Sequence, residues 1–373
     1  VRVERLNLLG FRSYATLDVR FPAGPQVIVG RNAAGKTNLL EALVVMSLGH
    51  SHRTSTDLEM IAWDAPFARL EAHVGTGGPG TDDLELVLAR PSAATTRKRV
   101  RINGVPRRGA ALSAALRTVV FAPEDMLLVA GSPSLRRSLL DTLVAQQVIE
   151  GSATLSTYAR ALQQRNTLLR RIREGEASPD ELRYWDGVVV EQGGRIVTWR
   201  LTALAALAGP LAEAHAEIAP NEGRLTLRYL TNAPLSAGES PEEALARRLV
   251  ETSEKELWNG STLIGPHRDD LAFELDGREL SSFASRGQQR TAILAVKLAQ
   301  VDLLKARDGR PPLLLLDDVF SELDPQRRAH LVRRIGELPQ AFVTTTTLDD
   351  LDPGLVAAST AWLVEPGRLE PAR

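Results

Sequence analysis

Apolar and polar residues alternate over residues 1–9 and again over 17–21, with Gly10-Phe11-Arg12-Ser13-Tyr14 between the runs and Pro22 after the second. A period of two predicts two strands joined by a turn. Residues 26–29, Gln-Val-Ile-Val, read as a short buried strand, and a glycine-bearing loop follows at 30–37. The period then changes: Leu39, Leu40, Leu43, Val44 and Leu48 recur at helical spacing over 36–48, and Gly49 supplies a stop. Residues 67–105 return to a β pattern. Runs at 70–74 and 84–88 flank a glycine-rich turn at 75–80, and a ribbon at 98–102 meets Asn103-Gly104, a two-residue hairpin signal. A further strand is expected at 119–121.

From about 126 to 258 the pattern is helical, rich in Leu, Ala and Arg, with breaks near 175–180 and 220–241. Strands resume around Leu263. Residues 271–275 with Asp276-Gly277 predict a hairpin, 313–316 and 342–345 predict buried strands, and Pro366-Gly367 predicts a terminal hairpin. Neither internal repeats nor sustained heptads are present. The layout is an α/β domain split by a helical insertion, with 1–122 and 262–373 forming one lobe and 123–261 the other.

Composition narrows the chemistry. The 373 residues are 43% hydrophobic and 24% charged, which fits a folded globular protein and argues against disorder. The chain has no Cys, which excludes disulfides, thiolate zinc sites and a cysteine nucleophile. Histidines at 50, 52, 73, 215, 267 and 330 show no metal-ligand spacing, so a zinc site is not expected. No apolar run reaches the roughly 18 residues of a membrane span, and Val1-Arg2-Val3-Glu4 does not read as a signal peptide. A cytoplasmic, nucleoid-associated protein with no membrane partner is expected. Net charge is −1, from 45 basic and 46 acidic residues, so any site for a polyanion must be local.

One local site is explicit. Gly30-Arg31-Asn32-Ala33-Ala34-Gly35-Lys36-Thr37 fits G-x-x-x-x-G-K-[ST] at every fixed position, between a predicted strand and a predicted helix. Glycines let backbone N–H groups turn inward around β- and γ-phosphates, and Lys36 adds a point charge. Thr37 offers a hydroxyl to Mg²⁺, and the helix points its positive end at the anion. Almost 300 residues later, four leucines end in Asp317-Asp318. Asp317 is placed to hold Mg²⁺ and Asp318 to orient or deprotonate an attacking water, with Lys36, Asp317 and Asp318 as the catalytic set. A third piece, Ser285-Arg286-Gly287-Gln288-Gln289, precedes a predicted helix, where a polar glycine-containing loop suits a γ-phosphate.

In this order, these elements resemble an ABC-type ATPase head of the group that includes SMC and Rad50: a P-loop NTPase with a mixed sheet, a β-rich N-terminal part and a helical insertion lobe. The match runs through Walker A (30–37), the signature loop (285–289), Walker B (313–318) and a D-loop at Ser321-Glu322-Leu323-Asp324. More closely, the chain is similar to the RecF family of bacterial DNA replication and repair proteins. That likeness is carried by residues 35–42, Ser51-His52-Arg53-Thr54, Phe121-Ala122-Pro123-Glu124-Asp125, Arg136-Arg137, Gly265-Pro266-His267-Arg268-Asp269-Asp270 and residues 287–291.

The resemblance implies ATP as cofactor with Mg²⁺, bound through residues 30–37 and Asn38. It implies an ATP-dependent homodimer in which Ser285, Arg286, Gly287, Gln288 and Gln289 act in trans on the partner's nucleotide, with Ser321 and Asp324 in the D-loop. It further implies duplex and gapped DNA as partners and weak, DNA-stimulated ATP hydrolysis. The biological role implied is help to RecR and RecO in placing RecA on SSB-coated single-stranded gaps. Asp318 stands where most ABC proteins carry Glu, the switch position near 344–347 holds hydroxyls in place of His, and the Q-loop position falls at Glu124. These departures fit a slow switch better than a fast motor. An ABC transporter reading lacks its Leu-Ser-Gly-Gly-Gln and switch His, and a clamp with long coiled coils lacks its heptads. An SMC/Rad50-like structural clamp using ATP only to glue the dimer stays open.

Arg97, Lys98, Arg99, Arg101, Arg107 and Arg108 lie within a stretch free of acids, and Arg160, Arg165, Arg170, Arg171 and Arg173 form a second such run. Without interleaved aromatics, both favour duplex binding through phosphates over base stacking. Arg12 and Arg53 flank the phosphate loop, where a guanidinium could reach a phosphate oxygen. For Arg53 a DNA or partner-subunit contact is equally open. The Gly265-to-Asp270 segment has no mechanistic reading from sequence.

Overall fold

The computed structural model describes residues 1–54, 56–75, 80–92 and 95–372. Its contacts divide into two units, Val1–Met126 with Glu213–Asn221 and Arg286–Arg373, and Leu127–Ala212 with Glu222–Ser285. Residues 262–285 thus fall in the second unit, whereas the sequence pattern groups them with the first lobe. The reason is strand pairing. β10 (Asp270–Leu275) pairs antiparallel with β9 (Leu225–Leu230) and with β11 (Arg278–Glu279), a three-stranded sheet that alternation along one segment cannot assign to a partner.

The first unit holds two sheets. One is antiparallel, in the order β2-β1-β4-β5-β6-β7, built from β1 (Arg2–Phe11), β2 (Tyr14–Arg20), β4 (Phe67–Gly75), β5 (Thr81–Ser92), β6 (Thr95–Ile102) and β7 (Val105–Arg107). The β6–β7 turn carries Asn103 and Gly104 at φ 53° and 76°, the left-handed pair that a tight two-residue hairpin needs. Of the glycine-rich turn expected at 75–80, residues 76–79 lie outside the described residues.

The other sheet runs β15-β14-β3-β13-β12-β8, from β3 (Gly24–Val29), β8 (Thr118–Phe121), β12 (Leu313–Asp317), β13 (Gln340–Thr345), β14 (Thr360–Glu365) and β15 (Arg368–Pro371). All neighbours are parallel except β14–β15. Every residue of β12 and β13 is buried, as the continuous apolar run of a covered parallel strand requires. Helix Lys36–Leu48 lies in one apolar cluster with both sheets, Leu39, Leu43, Leu70, Leu86, Leu315 and Phe342 among its members. Largely apolar, this helix is buried nearly end to end.

The second unit packs helices Pro133–Gln147, Gly151–Arg173 and Pro241–Asn259, the greater part of Leu182–Ile218, and the β9–β10–β11 sheet. Ser240 opens its helix with a reciprocal capping box to Glu243. Arg165, expected in a basic surface run, turns inward. It pairs with Asp186 and Glu256, each at 2.7 Å, and donates to Thr262 Oγ1 at 2.8 Å, while Arg160, Arg170, Arg171 and Arg173 stay exposed.

The Gly265-to-Asp270 segment proves to be the polar hub of this unit. Gly265 has φ 130°, and a Cβ there would come 2.5 Å from the Tyr158 hydroxyl, so only glycine fits. His267 Nδ1 shares a 2.7 Å hydrogen bond with that hydroxyl. Arg200 donates to the Pro266 carbonyl and the Tyr229 hydroxyl and pairs with Asp141. Tyr229 in turn donates to Asp269 Oδ2 at 2.6 Å. Arg136 takes both oxygens of Asp270, at 2.7 and 2.8 Å, and donates to the carbonyls of Leu128 and Gly131. Burial pushes the His267 imidazole down to about 4 and raises the Asp269 carboxyl, the latter against its Tyr229 hydrogen bond. A buried network satisfied this fully fixes one arrangement of its elements.

Candidate nucleotide site and basic ribbon

The phosphate loop leaves β3, which sits between β14 and β13. At Gly30 a Cβ would lie 2.6 Å from the Val364 carbonyl oxygen on β14, so the close approach of two strands demands glycine. Gly35 has φ 116° and precedes the first helical residue, with the Ser13 hydroxyl 3.0 Å from where its Cβ would be. The loop is braced from the β1–β2 turn. Tyr14 Oη donates to the Gly35 carbonyl at 3.1 Å, and Asn38 Nδ2 donates to Ser13 Oγ at 2.9 Å. No side-chain cap hydrogen bond is made at the helix N-terminus, whose first-turn N–H groups are of the kind an anion takes. Lys36 is buried and donates from Nζ to the Gly30 and Arg31 carbonyls at 2.6 and 3.2 Å. Burial lowers its proton affinity, with Asp318 and Asp317 acting in the opposite direction.

The acidic partners arrive through the parallel register. Asp317 on β12 stands opposite Thr344 on β13, and Thr345 stands opposite Val29 on β3, so three adjacent strands end together at the loop. Thr344 Oγ1 donates to Asp317 Oδ1 at 2.7 Å and accepts from the Asp318 N–H at 2.9 Å. One hydroxyl thereby links the Asp317 carboxyl to the Asp318 backbone. Asp318 takes φ 52°, uncommon for a non-glycine residue. Its carboxyl is raised above the ordinary value by burial first, then by repulsion from Asp317, Asp350 and Glu322, with Lys36 opposing. Thr344 enters the sequence analysis only as a hydroxyl in the switch region; its bridge between the two acids is visible only once the register is known.

Glu41, one turn past Thr37, is the second residue that sequence reasoning passed over. Its side chain is fully buried and holds Nε and Nη2 of Arg12 at 2.9 and 2.6 Å, Arg53 at 3.1 Å and the Ser51 hydroxyl at 2.5 Å. Burial opposes its ionisation, but the Arg12 and Ser51 hydrogen bonds overcome it and hold the carboxyl below its ordinary value. A carboxylate on an otherwise apolar helix is the sequence signal that could have found it. Arg12 also donates to the Glu59 carbonyl at 2.7 Å. The structure therefore commits Nε, Nη1 and Nη2 of Arg12 to protein oxygens, where the sequence suggested a phosphate. Arg53 bonds Glu41 and, at 3.0 Å, Asn38 Oδ1. At the Q-loop position Glu124 is exposed, and it is Asp125 that makes the contacts, to the Ala122 N–H at 2.8 Å and to Lys297 at 2.7 Å.

The signature residues straddle the division between units, with Ser285 closing the second and Arg286 opening the first on helix Arg286–Asp308. Within the first unit Thr291 donates to the Gly287 carbonyl at 3.1 Å, and Arg290 pairs with Glu322 at 2.6 Å. In the D-loop Ser321 Oγ donates to the Asp318 carbonyl at 2.9 Å. Asp324 caps helix Pro325–Gly336 at the Arg327 N–H and pairs with the Arg327 guanidinium.

On β6 the basic residues divide by face. Arg99 shares the Val87 face and Arg101 the Glu85 face of the sheet, while Lys98 lies opposite Leu88 and Val100 opposite Leu86, towards the core. Arg97, Arg99, Arg101, Arg107 and Arg108 are exposed. Arg101 reaches Glu85 at 3.5 Å, whereas Arg97, Arg99, Arg107 and Arg108 have no ion pair among the described residues. Lys98 departs from the expected DNA-facing row, donating to the Gly49 carbonyl at 2.8 Å and pairing with Asp57 at 2.9 Å. Among the described residues there is no cluster of three or more His, Cys, Asp or Glu able to hold a metal, and no helix long and apolar enough to cross a membrane.

Residues 2–353 match the RecF/RecN/SMC N terminal domain family. The chain is 40% identical over 389 residues to the DNA replication and repair protein RecF of Herpetosiphon aurantiacus, covering 99% of this chain and all of that one. It is 37% identical over 376 residues to RecF of Bacillus subtilis, covering 98% and 99%. Among solved structures it resembles the recombination mediator protein RecF with ATP in the RecFOR pathway, at TM-score 0.87 and 28% identity over 100% of this chain and 97% of that one. An SMC head bound to the C-winged helix domain of ScpA shares the fold, at TM-score 0.53 and 15% identity over 100% of this chain and 97% of that one.

Proposed function

The chain belongs to the RecF family within the RecF/RecN/SMC N-terminal domain group, and we propose that it binds ATP, dimerises through it on duplex or gapped DNA, and hydrolyses it slowly. The observation that carries this reading is the shared end of β3, β13 and β12, where Thr344 bonds the Asp317 carboxyl and the Asp318 N–H and both acids act electrostatically on Lys36. Residues 30–38 cradle the triphosphate through backbone N–H groups and the Lys36 ammonium. The Thr37 hydroxyl and the Asp317 carboxylate are hard oxygen donors that fit Mg²⁺. When bound there, the ion neutralises charge on the β- and γ-phosphates.

Asp318 is the base. A water oxygen bonds to the γ-phosphorus, the bond to the bridging β,γ-oxygen breaks, ADP leaves, and Asp318 accepts the proton from water. Its raised proton affinity suits that role. In the dimer Ser285, Gly287 and Gln288 of one chain face Lys36 and Thr37 of the other, closing two nucleotides between them. Arg97, Arg99, Arg107 and Arg108 contact DNA phosphates without reading sequence. By family, RecR and RecO act with it to place RecA on SSB-coated gaps.

Anisotropy of a labelled gapped duplex, titrated with protein with and without ATP and Mg²⁺, tests the reading. Tight binding only with ATP is expected. Asp318→Asn should keep ATP-dependent DNA binding while turnover falls by roughly 10²–10⁴-fold, the range for loss of a general base. If Asp318→Asn turns over ATP at the wild-type rate, Asp318 is not the base and ATP serves mainly to join the dimer.

A further inference from the structure

The strands that carry the basic ribbon also hold the far end of the phosphate-loop helix. Helix Lys36–Leu48 begins at the nucleotide site and ends at Gly49, whose N–H closes the last turn on the Val45 carbonyl at 2.8 Å. The Gly49 carbonyl lies at the negative end of the helix, and the ammonium of Lys98 on β6 donates to it at 2.8 Å while pairing with Asp57 at 2.9 Å. The two partners of that pair are 29% and 28% exposed, so the contact is sheltered from full solvent screening. Gly49 is held on a second side. A Cβ there would come 3.3 Å from the backbone of Gly109, the residue that follows Arg107-Arg108. Both ends of the ribbon thus meet one helix terminus, Lys98 by a hydrogen bond and Gly109 by close backbone approach.

A buried helix of 13 residues transmits displacement along its length, about 20 Å at 1.5 Å per residue. A second link runs back beside it. The chain leaving Gly49 returns Ser51 and Arg53 to Glu41, and Arg53 to Asn38, the neighbour of Thr37.

We infer that Lys98 is a positioning residue that couples DNA on the β6 ribbon to ATP turnover by holding the C-terminus of the phosphate-loop helix. This rests on the reading of the ribbon as the DNA-contacting surface. Arg97 and Arg99, next to Lys98 in sequence, face outward, so phosphates drawing on them shift β6 and with it the lysine that holds Gly49. Linkage makes the effect reciprocal for binding: ATP alters DNA affinity by the same factor as DNA alters ATP affinity.

The test uses the full chain, with ATPase rates measured without DNA and at saturating duplex, saturation being confirmed by anisotropy in the same samples. The readout is the ratio of the two rates. Lys98→Met keeps the stem and removes the charge, and Asp57→Asn weakens the same grip from an acid that DNA does not contact. In both variants the ratio is expected to fall towards one while duplex still saturates. A wild-type ratio in Lys98→Met with duplex bound overturns the coupling. So does a wild-type ratio in Asp57→Asn combined with loss of DNA binding in Lys98→Met, which would make Lys98 an ordinary phosphate contact. The double variant Arg97→Glu/Arg99→Glu separates the two layers. Unchanged DNA affinity there overturns the ribbon reading itself, and the coupling with it.

Discussion

Single side chains decide what the site can do. Thr344 ties one carboxylate and the next residue's backbone together with one hydroxyl, donating to Asp317 and accepting from the Asp318 N–H. In the other unit His267 plays a purely structural part, and its chemistry gives a pH prediction. Its imidazole titrates near 4 when folded, against 6.5 when unfolded, because burial disfavours the charged ring. Between those values the unfolded chain holds more protons, so stability rises with pH. The contribution, about 3 kcal/mol, is present in full above pH 6.5 and lost as pH falls through 4. Urea unfolding followed through tryptophan fluorescence between pH 7 and 4 should show this slope, and His267→Gln should flatten it. An equal slope in the variant would assign the acid sensitivity to other groups.

Elements place these side chains. The phosphate-loop helix is largely apolar, so packing against both sheets fixes its position while Lys36, Asn38 and Glu41 make its polar contacts. Glu41→Gln leaves Arg12 with a neutral partner in a half-buried place. A loss of about 3 kcal/mol in stability is expected, the bottom of the range for breaking a buried pair because Arg53 keeps access to water. The nucleotide site should weaken too, since Ser51 and Arg53 lose their anchor; calorimetric titration with ATP on the folded variant reads this. Unchanged melting and unchanged ATP affinity together would reduce the Glu41 cluster to an incidental contact. The β6 strand shows the same division of labour, its alternation sending Arg97 and Arg99 to one face and Lys98 to the other, onto the Gly49 carbonyl.

For the whole molecule, the proposed dimer is what gives the signature residues a part, each set acting on the nucleotide of a second copy. Ser285→Arg puts a long cation where a partner's γ-phosphate would sit. The variant should bind ATP with wild-type affinity yet stay monomeric with ATP and Mg²⁺ in sedimentation velocity, and hold DNA no better than the ATP-free protein. A normal ATP-dependent dimer in that variant would refute the sandwich.

Local pattern alone marks the Gly30-to-Thr37 motif, the acids that end the run at 313–318, the helix at 36–48, the Asn103-Gly104 hairpin and a helical stretch inside an α/β chain. These are local: a fixed spacing of glycines and a lysine, or a period of two or 3.6, is written within a dozen residues. What it could not determine were contacts between distant segments. Residues 270–275 joined the second unit through pairing with β9. Arg165 turned inward onto Glu256, Lys98 reached the end of a helix 49 residues away, and Arg12 closed on Glu41. A charged residue reads the same in a sequence whether it faces water or a buried partner. Only the register of strands and the packing of helices choose between them, because the cost of burying a charge is set by what else arrives at that point in space.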